Sequence, residues 1–237
     1  MSSPIETHQY KGVEIKIMPD LDPMNPREWD NSNTMVCWHR RYKLGDKQPK
    51  CDPDEYLRKL VNPDNPEEMT DEQVRQHLDP RYLFLPLYLY DHSGLRIKTS
   101  PFGCPWDSGQ VGFIYTSLDQ LIECYGSPDP NPTFDSPTRY SFQDGIQRTL
   151  REAGNAVLQC EVKVYDQYLS GEVYGWMAGD DSCWGYFGSD FEENGLLEAA
   201  RDSIDAQIVR ERIAHYKRLK QQIKHQVPLR LRTPFAA

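Results

Sequence analysis

Between positions 91 and 108 the chain places Asp91-His92-Ser93 and, just downstream, Cys104, Asp107 and Ser108. A thiol or hydroxyl, a histidine base and an orienting acid are the minimum for nucleophilic catalysis. One reading is therefore a Cys/His- or Asp/His-dependent hydrolase using His92, Cys104 and Asp107, acting as a nuclease or on a nucleotide signal. Turn chemistry accounts for the same residues without catalysis: Asp91 opens and Gly94 closes a four-residue turn, and Cys104-Pro105-Trp106 reads as a loop packed by its tryptophan. Metal binding is the second chemistry. Cys37 and His39 share a face if both lie on one strand, with Cys104, His92 and Cys183 as further donors. No Cys-x-x-Cys pair or characteristic ligand spacing accompanies Cys37, His39 and Cys104, so neither a metal nor another cofactor is expected.

These residues must be positioned by a mixed set of elements. Val13–Ile17 alternates as a strand does, and Thr34–His39 is β-branched and aromatic. Asp52 followed by Pro53 predicts a helix to Val61, and Thr70 with Asp71 and Glu72 predicts another to about Leu78. Leu83–Tyr90 is a nearly continuous apolar run, joined by the 91–94 turn to the alternating Leu95–Thr99; Gln110–Thr116 is a further strand. Residues 126–138, with four prolines, read as a connector. Ile146, Leu150, Ala153, Val157, Val164 and Tyr168 recur at three-and-four spacing, and Gly171 suits a C-cap, predicting a long helix over 141–169. Gly179-Asp180-Asp181 marks a hairpin between 172–178 and 182–188. Helix formers fill 195–226 without a proline, and their apolar stripe shifts from Leu197, Ala200, Ile204 and Ile208 to Val209, Ile213, Tyr216 and Ile223. The first half should pack on the body and the second on something else, with self-association through Val209, Ile213, Tyr216 and Ile223 as the expectation.

The fold class expected is α+β: an antiparallel sheet of about five to seven strands with short helices, one long packed helix and a long C-terminal helix. Residues 1–194 would form an acidic core domain and 195–237 a basic helical extension. The formal charge of −9 divides unevenly along that line. Residues 207–237 hold eight Lys/Arg against one acid, a balance of +7, and the other 206 residues hold 19 bases and 35 acids, a balance of −16. An acidic body disfavours direct nucleic-acid binding, whereas the basic segment offers an anchor for an anionic partner or a neighbouring subunit. No apolar run approaches the ~20 residues of a membrane helix, and the N-terminus has no apolar h-region, so a cytoplasmic chain without membrane contact is expected. The six cysteines are then expected as buried free thiols.

Tyr88, Tyr90, Trp106, Phe113, Tyr115, Tyr174, Trp176, Trp184, Tyr186 and Phe187 fall on the predicted strands and their loops. Such side chains favour interfaces, and also ordinary β cores. The candidate binding residues are Tyr90, Asp91, Trp106, Asp107, Asp180, Asp181 and Trp184. Exposed aromatics beside acids would suit a basic partner, including the charged groove of a nucleic-acid-binding protein. That mimicry requires the aromatics to be exposed and the acids to be gathered.

Five blocks, in order, carry a resemblance. They are Trp29-Asp-Asn-Ser-Asn-Thr-Met-Val-Cys-Trp-His-Arg-Arg-Tyr-Lys-Leu-Gly-Asp46, Leu85-Pro-Leu-Tyr-Leu-Tyr-Asp-His-Ser-Gly94, Phe102-Gly-Cys-Pro-Trp-Asp-Ser-Gly-Gln-Val-Gly-Phe-Ile-Tyr115, Tyr165-Asp-Gln-Tyr-Leu-Ser-Gly-Glu-Val-Tyr-Gly175 and Asp181-Ser-Cys-Trp-Gly-Tyr-Phe-Gly188. Over roughly residues 27–190 the chain resembles a family of uncharacterised accessory proteins of bacteriophages and other mobile elements. The resemblance carries no catalytic residue. It implies a genetic setting, the bacterial host cell, where accessory proteins commonly bind and disable a defence component. The expectation is thus a non-enzymatic protein that binds and inhibits a host defence or nucleic-acid-processing complex, its partner a host protein or nucleoprotein complex. The alternatives are the hydrolase above and an oligomeric structural or assembly protein.

Overall fold

The structure, a computed structural model, describes residues 3–125 and 150–226. It is α+β, with strands β1 (Glu6–Tyr10), β2 (Val13–Pro19), β3 (Thr34–Cys37), β4 (Tyr82–Asp91), β5 (Leu95–Lys98), β6 (Ser108–Ser117), β7 (Val173–Ala178) and β8 (Asp181–Phe187). The helices are α1 (Pro53–Val61), α2 (Asp71–Leu78), α3 (Leu118–Tyr125), α4 (Leu150–Ser170) and α5 (Leu196–Gln226). The strands form two four-stranded antiparallel sheets, β1-β2-β7-β8 and β3-β6-β4-β5, where a single sheet is expected from the sequence. Packing divides the chain into one unit of residues 1–23 with 173–237 and another of 24–172, instead of at residue 194. The reason is that the start of α5 is core: Leu196, Leu197, Ala200 and Ile204 bury themselves against Ile15, Ile17, Trp176 and Ala178 of the β1-β2-β7-β8 sheet.

In that unit, β1 and β2 join through Lys11-Gly12, both at positive φ, the two-residue turn whose twist suits a hairpin. The β7–β8 hairpin turns at Gly179, also at positive φ, as its sequence predicts. Lys11 and Tyr10 at the first turn donate to Asp205 of α5.

The 24–172 unit is built on β4 and β6. Leu83, Leu87 and Leu89 alternate onto the face that α4 covers with Leu158, Val162 and Tyr165. The buried side of α4 is Ala153, Gly154, Leu158, Val162 and Tyr165; of the predicted stripe, Ala153 is buried and Leu150 and Tyr168 pack against the core, while Val157 and Val164 are half-buried beside it. Gly154 sets its position, because a Cβ there would lie 2.4 Å from a Leu83 methyl and 2.5 Å from one of Leu121. The helix ends as its glycine predicts: the Gly171 N–H donates to the Tyr168 carbonyl and the Glu172 N–H to that of Gln167, with Gly171 at φ +75°. On the opposite face, Phe84, Phe113 and Tyr115 meet Trp38 and Tyr56, the last carried in by α1. Both short helices are capped as expected, Asp52 accepting from the Glu55 N–H and Thr70 forming a capping box with Gln73. Pro86 sits in β4 where β5 has not yet begun to pair, so its missing N–H interrupts no second ladder. The predicted connector at 126–138 and the 141–149 part of the long helix lie outside the described residues.

Candidate functional site

Loop 101–107, between β5 and β6, together with the β4–β5 turn, holds the hydrolase candidates, and the structure assigns their polar atoms to local bonds. The Cys104 thiol donates to Asp107 Oδ2 at 3.4 Å. Ser108 Oγ donates to the Cys104 carbonyl, and the Asp91 N–H donates to the Asp107 carbonyl at 2.9 Å. Asp91 is paired with Arg41, and its other carboxylate oxygen accepts from the Tyr42 hydroxyl at 3.3 Å. His92 Nδ1 lies 2.9 Å from Ser93 Oγ, with Ser93 at φ +58°. The acid of the supposed triad therefore holds the thiol, and the histidine faces its own turn. Cys104, Asp107 and Ser108 close a compact loop that is tied to β4 through Asp91.

What that loop presents is Trp106, 93% exposed. Pro105 precedes it and the Cys104–Ser108 bonds brace it on both sides, so the indole stands in water on an internally bonded scaffold. Phe102 of the same loop meets the Tyr90 ring of β4 at a tilt, with ring centres 5.5 Å apart, and the Lys98 ammonium lies 4.2 Å from the Phe102 ring centre. A large apolar ring exposed on a braced support loses little freedom when it is covered, which is how an interface anchor works.

The other binding candidates lie in the 1–23/173–237 unit. Asp180 is exposed at the hairpin tip. Asp181 accepts from the Ser203 hydroxyl and the Ser182 N–H, bonds that hold its carboxyl below the usual range. Trp184 is 46% exposed on the edge strand β8, its ring lying over Gly175, where a Cβ would meet it at 2.3 Å. Of the aromatic set, Trp176 and Tyr115 are buried core, while Tyr88, Tyr90, Phe113, Tyr174, Tyr186 and Phe187 are half-buried. Asp46, Asp91, Asp166, Glu192 and Asp205 are each paired with Arg or Lys. The exposed aromatics that a mimic requires are only part of the set.

The metal candidates are not brought together. Cys37 is fully buried, and β3 ends there, so the alternation that would place His39 on its face stops. His39 Nδ1 instead accepts the N–H groups of Arg41 and Tyr42 at 3.3 and 3.2 Å. Among the described residues no three of His, Cys, Asp and Glu could hold a metal ion. The cysteines are free, but only Cys37 is buried; Cys51 and Cys104 are half-buried, and Cys124, Cys160 and Cys183 are exposed, against the expectation of buried thiols. Burial pushes the Cys37 thiol up to about 12. In the native protein at pH 8, Cys124, Cys160 and Cys183 should react quickly with a disulfide reagent and Cys37 only after unfolding, which peptide mapping of the labelled protein checks.

One buried polar centre escaped the sequence reading. Arg27, its side chain 2% exposed, forms a fork with Asp46 (Nε–Oδ1 2.9 Å, Nη2–Oδ2 2.6 Å), pairs with Glu161 of α4 at 3.1 Å and donates to Asn33 Oδ1 at 3.0 Å. Asp46 Oδ2 also accepts the Met35 N–H at 2.7 Å. Burial pushes the Glu161 carboxyl up, and Arg27 pulls it down. The centre ties the segment before β3, the turn after it and α4 together.

Comparison with protein-family models, curated proteins and solved structures finds no match to this chain. Among the described residues no helix is long and apolar enough to cross a membrane.

Proposed function

We propose that this protein is a non-enzymatic binding protein that uses Trp106 as its anchor on a host protein or nucleoprotein complex. The observation that carries the reading is the loop itself: the side chains with the look of catalysis are occupied in bracing it, and its product is an indole 93% exposed. The resemblance to accessory proteins of phages and mobile elements supplies the setting, inhibition of a host defence or nucleic-acid-processing complex in the bacterial cell. Acids already paired with Arg and Lys favour recognition by an aromatic anchor over imitation of a nucleic acid.

Affinity purification of the tagged protein from bacterial host cells, followed by quantitative mass spectrometry, tests this. Trp106→Ala should leave the fold intact, since nothing packs on an exposed indole. It should lower recovery of the specific partner by roughly thirtyfold, the effect of losing about 2 kcal/mol at an interface anchor. His92→Ala with Cys104→Ser, which keeps a donor to Asp107, should recover the partner as the wild type does. Unchanged recovery with Trp106→Ala would contradict the proposal.

A further inference from the structure

From Val209 to Lys224 every residue of α5 is exposed, including Val209, Ile213, Tyr216 and Ile223, which are 50–67% exposed. The half of α5 that packs on its own sheet does so through Leu197, Ala200, Ile204 and Ile208. Going from Ile208 to Val209 the apolar stripe turns by about a third of a revolution, at 100° per residue, so the second stripe cannot serve the same sheet. It follows a heptad: Val209, Tyr216 and Ile223 at seven-residue intervals form the d row, and Ile213 and Lys220 the a row. A stripe of this kind exposed along about 24 Å of helix (at 1.5 Å per residue) is the seam of a coiled coil.

The flanks decide what covers it. Positions e are Arg210, Lys217 and Lys224, and positions g are Arg212 and the exposed Leu219. In a parallel pair of identical helices Arg212 would face Lys217, and Lys220 would face Lys220 inside the seam; in an antiparallel pair the e row would face itself, cation against cation. Both arrangements of a second copy set like charges at the positions that choose partners. We therefore propose that the second half of α5 is one strand of a heterotypic coiled coil, and that its occupant is an acidic amphipathic helix of another protein, with acids opposite the e row, Arg212 and Lys220. Self-association through Val209, Ile213, Tyr216 and Ile223, the expectation from their apolar character alone, gives way to this once the flanks are counted. The inference stands on α5 and is independent of the Trp106 surface.

The test uses the full chain and three synthetic helical peptides of about three heptads. One has Ile and Leu at a and d with Glu at e and g and Glu facing Lys220; the second replaces its flanking Glu with Lys; the third keeps the Glu but has Ser at a and d. Fluorescence anisotropy should show the first peptide binding at least about tenfold more tightly than either control, with salt weakening it. Ile213→Ser and Ile223→Ser should abolish that binding, while circular dichroism shows the fold retained. Light scattering should find the protein alone monomeric. A dimer dissolved by Ile213→Ser would make the occupant a second copy and overturn the proposal. Equal binding of the Ser-seam peptide would overturn it too, as would a DNA duplex that displaces the acidic peptide and binds the Ile213→Ser variant undiminished.

Discussion

Replacing Arg27 with alanine should destabilise the unit of residues 24–172 by about 3–5 kcal/mol, the usual cost of breaking a buried ion pair from one side. The magnitude follows from what would be left. Asp46 would keep the Met35 N–H but lose a two-bond guanidinium partner, and Glu161 would lose its cation in a half-buried site. Against the 5–15 kcal/mol that holds a typical domain, such a loss removes a large fraction of the stability. The Cys37 thiol is a local reporter, buried beside this centre. In urea its labelling should begin at a much lower denaturant concentration in Arg27→Ala than in the wild type. Glu161→Gln separates the two carboxylates. Because burial raises the Glu161 carboxyl above its ordinary 4.5, the folded state holds that proton more tightly than the unfolded one. Ionising it therefore costs stability as pH rises from the ordinary glutamate range through the folded value, and that cost is absent below 4.5. Glu161→Gln should flatten this fall in a stability-versus-pH series, and Arg27→Ala should steepen it.

Gly112→Ala should cost about 3 kcal/mol, at the upper end of what overpacking does. Gly112 of β6 stands opposite Cys37 of β3 and Leu87 of β4. A Cβ there would fall 1.9 Å from the Val36 carbonyl oxygen and 2.9 Å from the Cys37 Cα. Both are backbone atoms of a paired strand and cannot rotate away, so β3 and β6 must separate or the Cβ cannot be accommodated. Gly109, on the same strand with nothing within 4 Å of its Cβ position, is the matched control. Gly109→Ala should shift the urea midpoint little, while Gly112→Ala lowers it and exposes Cys37 early.

The elements legible in the sequence are those whose determinants lie within a few residues. Asp52-Pro53 and Thr70 with Gln73 begin their helices, Gly171 ends α4, and Gly179 turns the β7–β8 hairpin, each by bonds that span five positions or fewer. β1 was not legible because Glu6–Tyr10 is a polar, exposed edge strand, without the alternation that a buried face imposes; Lys11-Gly12 was its one signal. α3, which follows β6 directly, was also not anticipated. The division into two sheets rests on β2 pairing with β7, about 160 positions further on, which no local pattern encodes. The stripe of α4 was only partly legible, through Leu150, Ala153 and Tyr168, because periodicity counts apolar side chains and passes over Gly154, where a Cβ would meet Leu83 and Leu121.

The candidate site shows the same boundary between residue type and residue role. Its reactive side chains could be picked out by kind, but whether Asp107 orients a histidine or accepts from Cys104 depends on how a short loop closes. Arg27, Asp46 and Glu161 carried no signal at all, since Arg27 lies in a Pro-rich stretch and is 134 positions from Glu161. Of the two readings of Trp106, a packing tryptophan or an exposed binding residue, the structure has the exposed one, because the loop is held by polar bonds and does not need the indole.

The central claim, binding through Trp106 without chemistry at His92 and Cys104, is tested most directly by plating efficiency. A phage restricted by a defended bacterial host is plated on cells expressing the wild type, Trp106→Ala, or His92→Ala with Cys104→Ser. The account predicts plaques restored by the wild type and equally by the His92/Cys104 variant, and lost with Trp106→Ala. Plaques that persist with Trp106→Ala and vanish with the His92/Cys104 variant, both proteins being folded and equally expressed, would contradict it and make the loop a catalytic one.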